Sequence, residues 1–450
     1  MSEKKKHVSE DFEQTSVSQE SRRGFMSMLV VMLGFTFFSA SMWAGGTLGA
    51  GMDFEGLVGA VMAGNLILGA YCGALAFIAA RTGNSIHILC RYSFGVKGSY
   101  LPSFLLGITQ VGWFGVGVAM FSIPVQKWLI SLGYEGAANS STLWIITIIA
   151  GCAMTSTAYF GIKSLTILSY VAVPAIIILG MYSSIRALTT GFPVAEGSDI
   201  VRCGWDIMFN HQPAEGAAIS AATAIAISVG SFISGGSCTP DFVRFSKNAK
   251  IAVITTVIAF FLGNSLMFFF GAVGTMTYQV NDISEVLFNQ GLIVWAILAL
   301  GLNIWTTNDN AIYTSGLGFS NITGIPKRYT VLFNGILGTL TALWLYNHFV
   351  SYLNILNIFI PPVGAVVIAD YFLRRDMNYL SPDKENFRQI FWPGVLAWGV
   401  GVYVAICMKN FGIPAINGMM AAALVYVLLC NGREVLQNVK EATKEEEKKD

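Results

Sequence analysis

The sequence predicts an all-α membrane protein in which twelve helices cross the bilayer. Of its 450 residues, 54% are hydrophobic and only 12% are charged, and the mean hydropathy is +0.60. A soluble domain of ordinary composition carries about 25% charged residues, so this chain has too few charges to cover a water-facing surface. Twelve apolar stretches reach about 20 residues or more, the length that a helix needs to cross a hydrocarbon core of about 30 Å. These observations exclude a soluble enzyme, a secreted disulfide scaffold and a nucleic-acid-binding protein.

Short polar segments separate the predicted spans. The spans are 24–49, 56–80, 100–130, 142–161, 164–188, 217–236, 251–277, 291–318, 329–347, 349–373, 390–408 and 413–430. We therefore expect an N-terminal tail (1–23), a first half of five spans (24–188), an external loop (189–216), a second half of five spans (217–373), two further spans (374–430) and a C-terminal tail (431–450). The longest polar interval, 189–216, is too short for a separate soluble domain.

The placement of basic residues predicts that both chain ends are cytoplasmic. In that arrangement 23 of the 27 Lys and Arg residues lie in inner segments, and the four outside are Lys127, Arg186, Arg202 and Lys409. This distribution follows the positive-inside rule. We expect a multi-pass protein of the cytoplasmic (inner) membrane, in contact with membrane lipid and with no nucleic acid as a partner.

Two of the predicted spans carry the sequence of interrupted helices. The first contains GFTFFSASMWAGG at 34–46, and the sixth contains SVGSFISGGSCTP at 228–240. A helix in lipid can be interrupted only where protein or a water-lined cavity satisfies the freed backbone groups. The two spans are five apart and so cross in opposite directions, which is typical of the inverted halves of a secondary transporter with a midplane binding site. The alternative is that these small residues only allow helices to pack closely.

The eighth span holds the densest polar sequence within the predicted membrane, NIWTTNDN at 303–310. One helical face, at i, i+3, i+4 and i+7, consists of Asn303, Thr306, Thr307 and Asn310. Such a row of amide and hydroxyl oxygens suits a small cation that has lost its water. Asp309 lies off that face, and a charge within a span is a functional candidate. For Asp309 we expect a structural ion pair or an inner-gate role rather than contact with a substrate.

Aromatic and amide side chains predict a site for a flat ring. Gln110 and Trp113 lie at i and i+3 of the third span, and Phe232 lies in the sixth-span interruption. We expect Trp113 and Phe232 to face each other across a cavity and to stack on a planar ring, at about 1–3 kcal/mol per ring. Gln110, Ser231 and Ser234 would then bind the polar edge of the ring. A mid-membrane tryptophan is otherwise more often a packing residue, and Gln110 beside it is what favours ligand binding.

Several segments together resemble the nucleobase–cation symporter family of transporters. They are TQVGWFGVGVAM (109–120), VGSFISG (229–235), DFVRF (241–245), GLNIWTTNDN (301–310), IPPVG (360–364) and ADY (369–371). The similarity runs over nearly the whole membrane portion and weakens in the 189–216 loop and in both tails. It implies a five-plus-five inverted-repeat core, like that of amino-acid/sodium symporters, with two additional C-terminal helices. It also implies a nucleobase as the cargo.

The resemblance assigns expected roles to individual residues. The ring would lie between Trp113 and Phe232. A sodium ion would bind between the first and eighth spans, and its implied ligands are the carbonyls of Gly34, Phe37 and Asn303 and the hydroxyls of Thr306 and Thr307. Asn308 is implied as a substrate or support residue, whereas helical geometry alone favours Asn310. Gly117 stands where members that handle larger rings have an amide, and this suits a small pyrimidine such as cytosine.

We therefore expect a transporter, not an enzyme, that imports cytosine by sodium-coupled alternating access and needs no cofactor beyond the coupling ion. Proton coupling through Asp309 or Asp241 stays open, with Asp241 expected to pair with Arg244. Other cargo rings also stay open: a purine, allantoin, a hydantoin or another pyrimidine. A channel would need a continuous polar pore, and no ring of charges or filter-like repeat is present. An intramembrane enzyme is disfavoured because the sequence contains neither HExxH nor GxSxG.

Overall fold

The computed structural model describes residues 11–193, 201–280, 283–373, 379, 381–408 and 411–446. For residues 193, 296, 349–351, 353–354 and 432–446 it describes the backbone but not the side chains. Parts of five predicted segments lie outside the described residues: 1–10 of the N-terminal tail, 194–200 of the external loop, 281–282 of the second half, 374–378, 380 and 409–410 of the segment with the two further spans, and 447–450 of the C-terminal tail.

Helices make up most of the described chain, as the sequence predicts. They are α1 (Phe25–Thr36), α2 (Ser39–Gly51), α3 (Phe54–Thr82), α4 (Ile86–Phe94), α5 (Tyr100–Ser131), α6 (Ser140–Tyr159), α7 (Ile162–Thr189), α8 (Gly204–Phe209), α9 (Ala221–Gly230), α10 (Ile233–Gly236), α11 (Thr239–Val243), α12 (Ala249–Ile258), α13 (Ser265–Tyr278), α14 (Ile283–Asn289), α15 (Ile293–Thr323), α16 (Lys327–Asn347), α17 (Phe349–Phe359), α18 (Pro361–Leu373), α19 (Trp392–Cys407) and α20 (Pro414–Glu446). A 3₁₀ turn spans Gln19–Ser21, and a π-helical turn, Ala259–Asn264, joins α12 to α13. Two strands, β1 (Gly191–Pro193) and β2 (Val201–Cys203), pair antiparallel with Phe192 opposite Arg202.

Each predicted span coincides with one helix or with consecutive helices. Within the described residues, eight helices are long and apolar enough to cross a membrane, or nine if the bent pair α1–α2 counts as one span. The predicted sixth span coincides with α9 and α10, the eighth with α15 and the eleventh with α19.

Helix α15 lies at the centre of the bundle and packs against α5, α6, α7 and α16. It runs antiparallel to α5, and the facing pairs are Gly107 with Phe319, Gly117 with Asn308, and Phe121 with Gly301. Rising residue numbers along α5 and falling numbers along α15 therefore lead to the same end of the bundle.

The first span is broken between α1 and α2. Phe37 (φ −75°, ψ 95°) and Phe38 (φ −135°, ψ 133°) are extended, and the two helices meet at a bend of 54°. The last backbone hydrogen bond of α1 runs from the Phe37 N–H to the Leu33 carbonyl (2.8 Å). The first one at the start of α2 runs from the Ser41 N–H to the Phe38 carbonyl (3.0 Å). The carbonyls at the end of α1 therefore need partners outside the helix.

The sixth span is broken after Gly230, where α9 ends. Phe232 leaves the helical region (φ −135°, ψ −8°) before α10 begins. The Ser231 hydroxyl donates to the Ser228 carbonyl at 3.0 Å and so satisfies one of the carbonyls freed at the end of α9. Both interruptions that the sequence predicts are present.

Residues 11–23 pack against one end of the bundle, which we call the N-terminal face. The Asp11 carboxylate lies 2.8 Å from Lys327 Nζ, and Arg22 donates to the Ala80 carbonyl at 2.6 Å. Helix α7 starts at this face, where the Ile162 N–H donates to the Asp11 carboxylate at 3.2 Å. Its 28 residues span about 40 Å and lead to β1, so the β1–β2 pair marks the opposite end, the hairpin face.

Two charged residues have partners other than those predicted. Asp241 does not form the expected ion pair with Arg244: its carboxylate accepts from the Ile86 N–H at 2.9 Å, while the Arg244 guanidinium donates to the Asp11 carbonyl at 2.6 Å. The prediction was wrong because the guanidinium turns towards the carbonyls of the N-terminal segment. Asp309 accepts from the Thr157 hydroxyl at 2.6 Å, and the described residues show no ion pair for it.

Candidate functional site

The two interruptions, α5 and α15 enclose a small cavity, the central cavity, of about 20 Å³. It is lined by Phe35, Phe38, Gln110, Trp113, Ser231, Phe232, Gly235, Thr307 and Ala311. Four of the predicted ring-binding residues and one of the predicted cation ligands are thus brought together here. The described lining residues include no acid and no base, so the cavity suits an uncharged molecule.

Trp113 joins α5 to the sixth-span interruption. Its indole N–H donates to Ser234 Oγ at 3.0 Å, which fixes the orientation of the ring. The Phe38 ring meets it edge-on, with centroids 5.3 Å apart, and the Tyr352 ring does the same at 5.9 Å. Because Phe38 belongs to the α1–α2 break, the position of Trp113 depends on the geometry of that break.

Phe232 forms part of the opposite wall of the central cavity. Its ring meets Phe35 of α1 edge-on at 5.0 Å and Phe260 of the π-helical turn at 5.3 Å. Perpendicular contacts of this kind are favourable arrangements of aromatic rings. Each of the two broken spans therefore supplies an aromatic ring that supports a wall of the cavity.

The side-chain amide of Gln110 is oriented by Cys238. Gln110 Nε2 donates to Cys238 Sγ at 3.6 Å, and the thiol in turn lies 3.9 Å from the Ser234 carbonyl. One N–H of the Gln110 amide is engaged there, so its second N–H and its carbonyl oxygen, Oε1, are left for a ligand.

Most of the predicted cation ligands converge beside the central cavity. The Thr307 hydroxyl donates to the Phe37 carbonyl at 3.0 Å and lies 3.3 Å from the Asn303 carbonyl. The Thr306 hydroxyl donates to the same Asn303 carbonyl at 2.9 Å. Gly34 lies one turn earlier on α1, where a Cβ would approach Ser169 Oγ to 2.5 Å. Unwound carbonyls and hydroxyls of this type coordinate Na⁺ in transporters with broken helices.

Asn308 and Asn310 do not line the central cavity. Asn308 Nδ2 donates to the Phe114 carbonyl at 3.1 Å, and a Cβ at Gly117 would overlap its amide. Gly117 is therefore needed for the close approach of α5 and α15, and this geometry favours a support role for Asn308. Asn310 Oδ1 is buried and has no hydrogen-bond partner among the described residues.

The central cavity is too small to hold a ring. A space of about 20 Å³ accommodates a water-sized molecule but not a six-membered ring. Trp113 and Phe232 are buried, with exposed fractions of 5% and 4%. Binding of a ring in the central cavity therefore requires its walls to move apart.

Residues 16–427 match the model of a family described as permeases for cytosine/purines, uracil, thiamine and allantoin. The chain belongs to this permease family. It is 48% identical over 419 residues to the cytosine permease of Escherichia coli (strain K12), covering 93% of this chain and 94% of that one. It is 25% identical over 391 residues to the hydantoin permease of Microbacterium maritypicum, covering 78% and 74%.

The fold is that of a solved transporter of the nucleobase-cation-symport-1 family. Mhp1, in a closed conformation with bromovinylhydantoin bound, superposes with a TM-score of 0.74 at 20% identity, covering 93% of this chain and 94% of that chain. Membership of the permease family confirms that the protein is a transporter and not an enzyme. Together with its apolar helices, it also makes this permease a multi-pass membrane protein.

The sequence reasoning missed three residues of this site. Phe38 contacts Trp113, Cys238 orients Gln110, and the Ser39 hydroxyl donates to Asn303 Oδ1 at 2.8 Å. Phe38 and Ser39 lie in the segment recognised as interrupted, so their position was a usable signal. Cys238 lies in the other interrupted segment, 228–240, but nothing in the sequence indicates that its partner is Gln110.

Proposed function

We propose that this permease imports cytosine together with sodium by alternating access. The proposal includes twelve membrane spans, with inverted halves at 24–188 and 217–373 and two additional helices. It places the protein in the cytoplasmic membrane with both chain ends in the cytoplasm, which agrees with the distribution of Lys and Arg residues. The N-terminal face is then cytoplasmic and the hairpin face external. The 48% identity to a cytosine permease supports the choice of cargo.

The observation that carries the proposal is the position of Thr307. Its side chain lines the central cavity, and its hydroxyl also bonds the Phe37 carbonyl at the end of α1. Phe38, which follows Phe37 in the chain, contacts Trp113. A cation held by these oxygens would fix the α1–α2 break and, through it, the wall on which the ring stacks. Sodium would then raise the affinity for cytosine, and cytosine must raise the affinity for sodium by the same factor.

The orientation of Gln110 favours cytosine over uracil. Cytosine carries an exocyclic amino group, a hydrogen-bond donor, where uracil carries a carbonyl oxygen. Because the contact with Cys238 holds one N–H of Gln110 Nε2, the amide has one orientation, in which Oε1 can accept from the amino group of cytosine; uracil has no amino group to donate there. A site built to hydrogen-bond one group rejects the analogue that lacks it more strongly than a purely apolar pocket does.

Proton coupling is the competing mode, and one observation favours it. Asp241 is fully buried near the N-terminal face, beyond the end of the predicted sixth span, and its Oδ2 lies 3.7 Å from His87 Nε2. Burial raises the pKa of the Asp241 carboxyl to about 7, although the Arg244 guanidinium acts in the opposite direction. Burial also lowers the pKa of His87 to about 3, so this histidine is neutral. Asp241 is therefore a residue that could exchange a proton near neutral pH.

Trp113→Ala should raise the Kd for cytosine on the order of 100-fold, because stacking contributes about 1–3 kcal/mol per ring and the indole also fixes Ser234. Binding of radiolabelled cytosine to purified protein measures the change. Trp398→Ala is the matched control, since this tryptophan donates to the Phe359 carbonyl away from the cavity. Equal affinities for the two variants would contradict the assignment of Trp113.

Cys238→Ala should reduce the preference for cytosine over uracil about tenfold, because the Gln110 amide can then rotate and one oriented hydrogen bond, worth about 0.5–1.5 kcal/mol, is lost. Competition of the two bases for the purified protein gives the ratio. Cys238→Ser, which still offers an acceptor to Gln110, should keep most of the preference, and Cys72→Ala controls for loss of a buried thiol. A ratio unchanged in Cys238→Ala shows that Gln110 is held by something else.

Thr307→Ala should abolish most of the stimulation of cytosine uptake by sodium, because it removes the hydroxyl shared by Phe37 and Asn303. Uptake is measured in proteoliposomes with sodium or with choline at a fixed pH. Thr330→Ala, which removes a buried hydroxyl bonded to the Gly316 carbonyl, is the control and should respond like the wild type. Wild-type uptake that is undiminished in choline refutes sodium coupling and favours the proton-coupled mode.

A further inference from the structure

A second cavity, the outer cavity, lies between the central cavity and the hairpin face. Its wall on α5 includes Met120, seven residues beyond Trp113, which corresponds to about 10 Å along the helix. Its wall on α15 includes Ile304, three residues before Thr307. Because α5 and α15 are antiparallel, both displacements lead in the same direction, away from the N-terminal face.

The outer cavity is the larger of the two. Its volume is about 110 Å³, against about 20 Å³ for the central cavity. A cavity of about 150 Å³ lined by apolar side chains is enough to bind benzene, so the outer cavity is close to the size of one six-membered ring. With the walls in their present positions, a planar ring fits far better in the outer cavity than between Trp113 and Phe232.

The walls of the outer cavity have the chemistry of a ring-binding site. Trp43 of α2 and Tyr346 of α16 supply aromatic rings, and Ser39 and Ser284 supply hydroxyls. The described lining residues include no acidic and no basic side chain, so an uncharged ring leaves no charged side chain without a partner. Ser39 also donates to Asn303 Oδ1 at 2.8 Å, which connects the floor of the outer cavity to the proposed cation ligands.

We propose that the outer cavity is a separate, weaker binding site in which an uncharged planar base is held before it passes to the central cavity. This inference rests on the proposed function, because it takes the hairpin face as external and cytosine as the cargo. Trp43 and Tyr346 stack on the base while the walls formed by Trp113 and Phe232 are still too close together to admit it. Entry to the central cavity then follows the movement of the α1–α2 break.

The test is saturation-transfer NMR of cytosine on the full-length protein in nanodiscs with sodium. In a Trp113→Ala background, which greatly weakens binding at the central cavity, cytosine should still give a saturable signal, and adding Trp43→Leu should reduce it at least several-fold. Adding Trp295→Leu instead is the control, because Trp295 of α15 is 62% exposed and should leave the signal unchanged. A Trp113→Ala signal that Trp43→Leu does not alter overturns the outer site.

A second measurement covers the case in which the double variant fails to fold. Trp43→Leu alone should lower the association rate constant for cytosine several-fold and change the equilibrium Kd of the central site much less. An unchanged association rate contradicts the outer site while the proposed function stands, provided that the wild type binds cytosine. If the wild type binds no cytosine at all, the proposed function itself is wrong, and the proposal of the outer site is then wrong as well.

Discussion

The hydrogen bond from the Thr307 hydroxyl to the Phe37 carbonyl, 3.0 Å long, is the interaction on which the rest of the site depends. A helix that stops inside a bilayer leaves carbonyls that cost several kcal/mol each when unsatisfied. Here the extended residues Phe37 and Phe38 turn one such carbonyl towards α15. Without the Thr307 hydroxyl as a donor, this carbonyl would be unsatisfied. Helix α1 could then not end at this depth, and Trp113 would lose the Phe38 ring that supports it.

The break also explains how two ligands of different chemistry can be coupled. Phe37 presents its backbone to the predicted cation ligands, while its neighbour Phe38 presents its ring to Trp113. One backbone segment thus contacts both parts of the site. In the proposed mechanism, each sodium ion that enters with the membrane potential supplies about 2.3 kcal/mol per 100 mV. The two extended residues are the part of the chain that would link this energy to movement of the ring.

The sequence was sufficient to predict the features that depend on local composition. It was not sufficient to predict those that depend on how distant elements approach each other. Both helix interruptions followed from small and hydroxyl residues at membrane depth. Four of the six predicted ring-binding residues, but only one of the five predicted cation ligands, line the central cavity. The contact between Cys238 and Gln110 joins residues 128 positions apart, and no local pattern marks it. Likewise, Arg244 donates to the Asp11 carbonyl instead of pairing with the Asp241 carboxylate, because the N-terminal segment folds back over the bundle.

The central claim is that sodium and cytosine stabilise the same arrangement of the α1–α2 break. The most direct test measures both sides of this linkage on purified wild-type protein: the Kd for cytosine across a sodium titration, and the Kd for sodium with and without cytosine, at one pH. The account predicts that each ligand tightens the other by an equal factor, and that choline has no such effect. A cytosine Kd that is independent of sodium, and that shifts instead with pH, would contradict it.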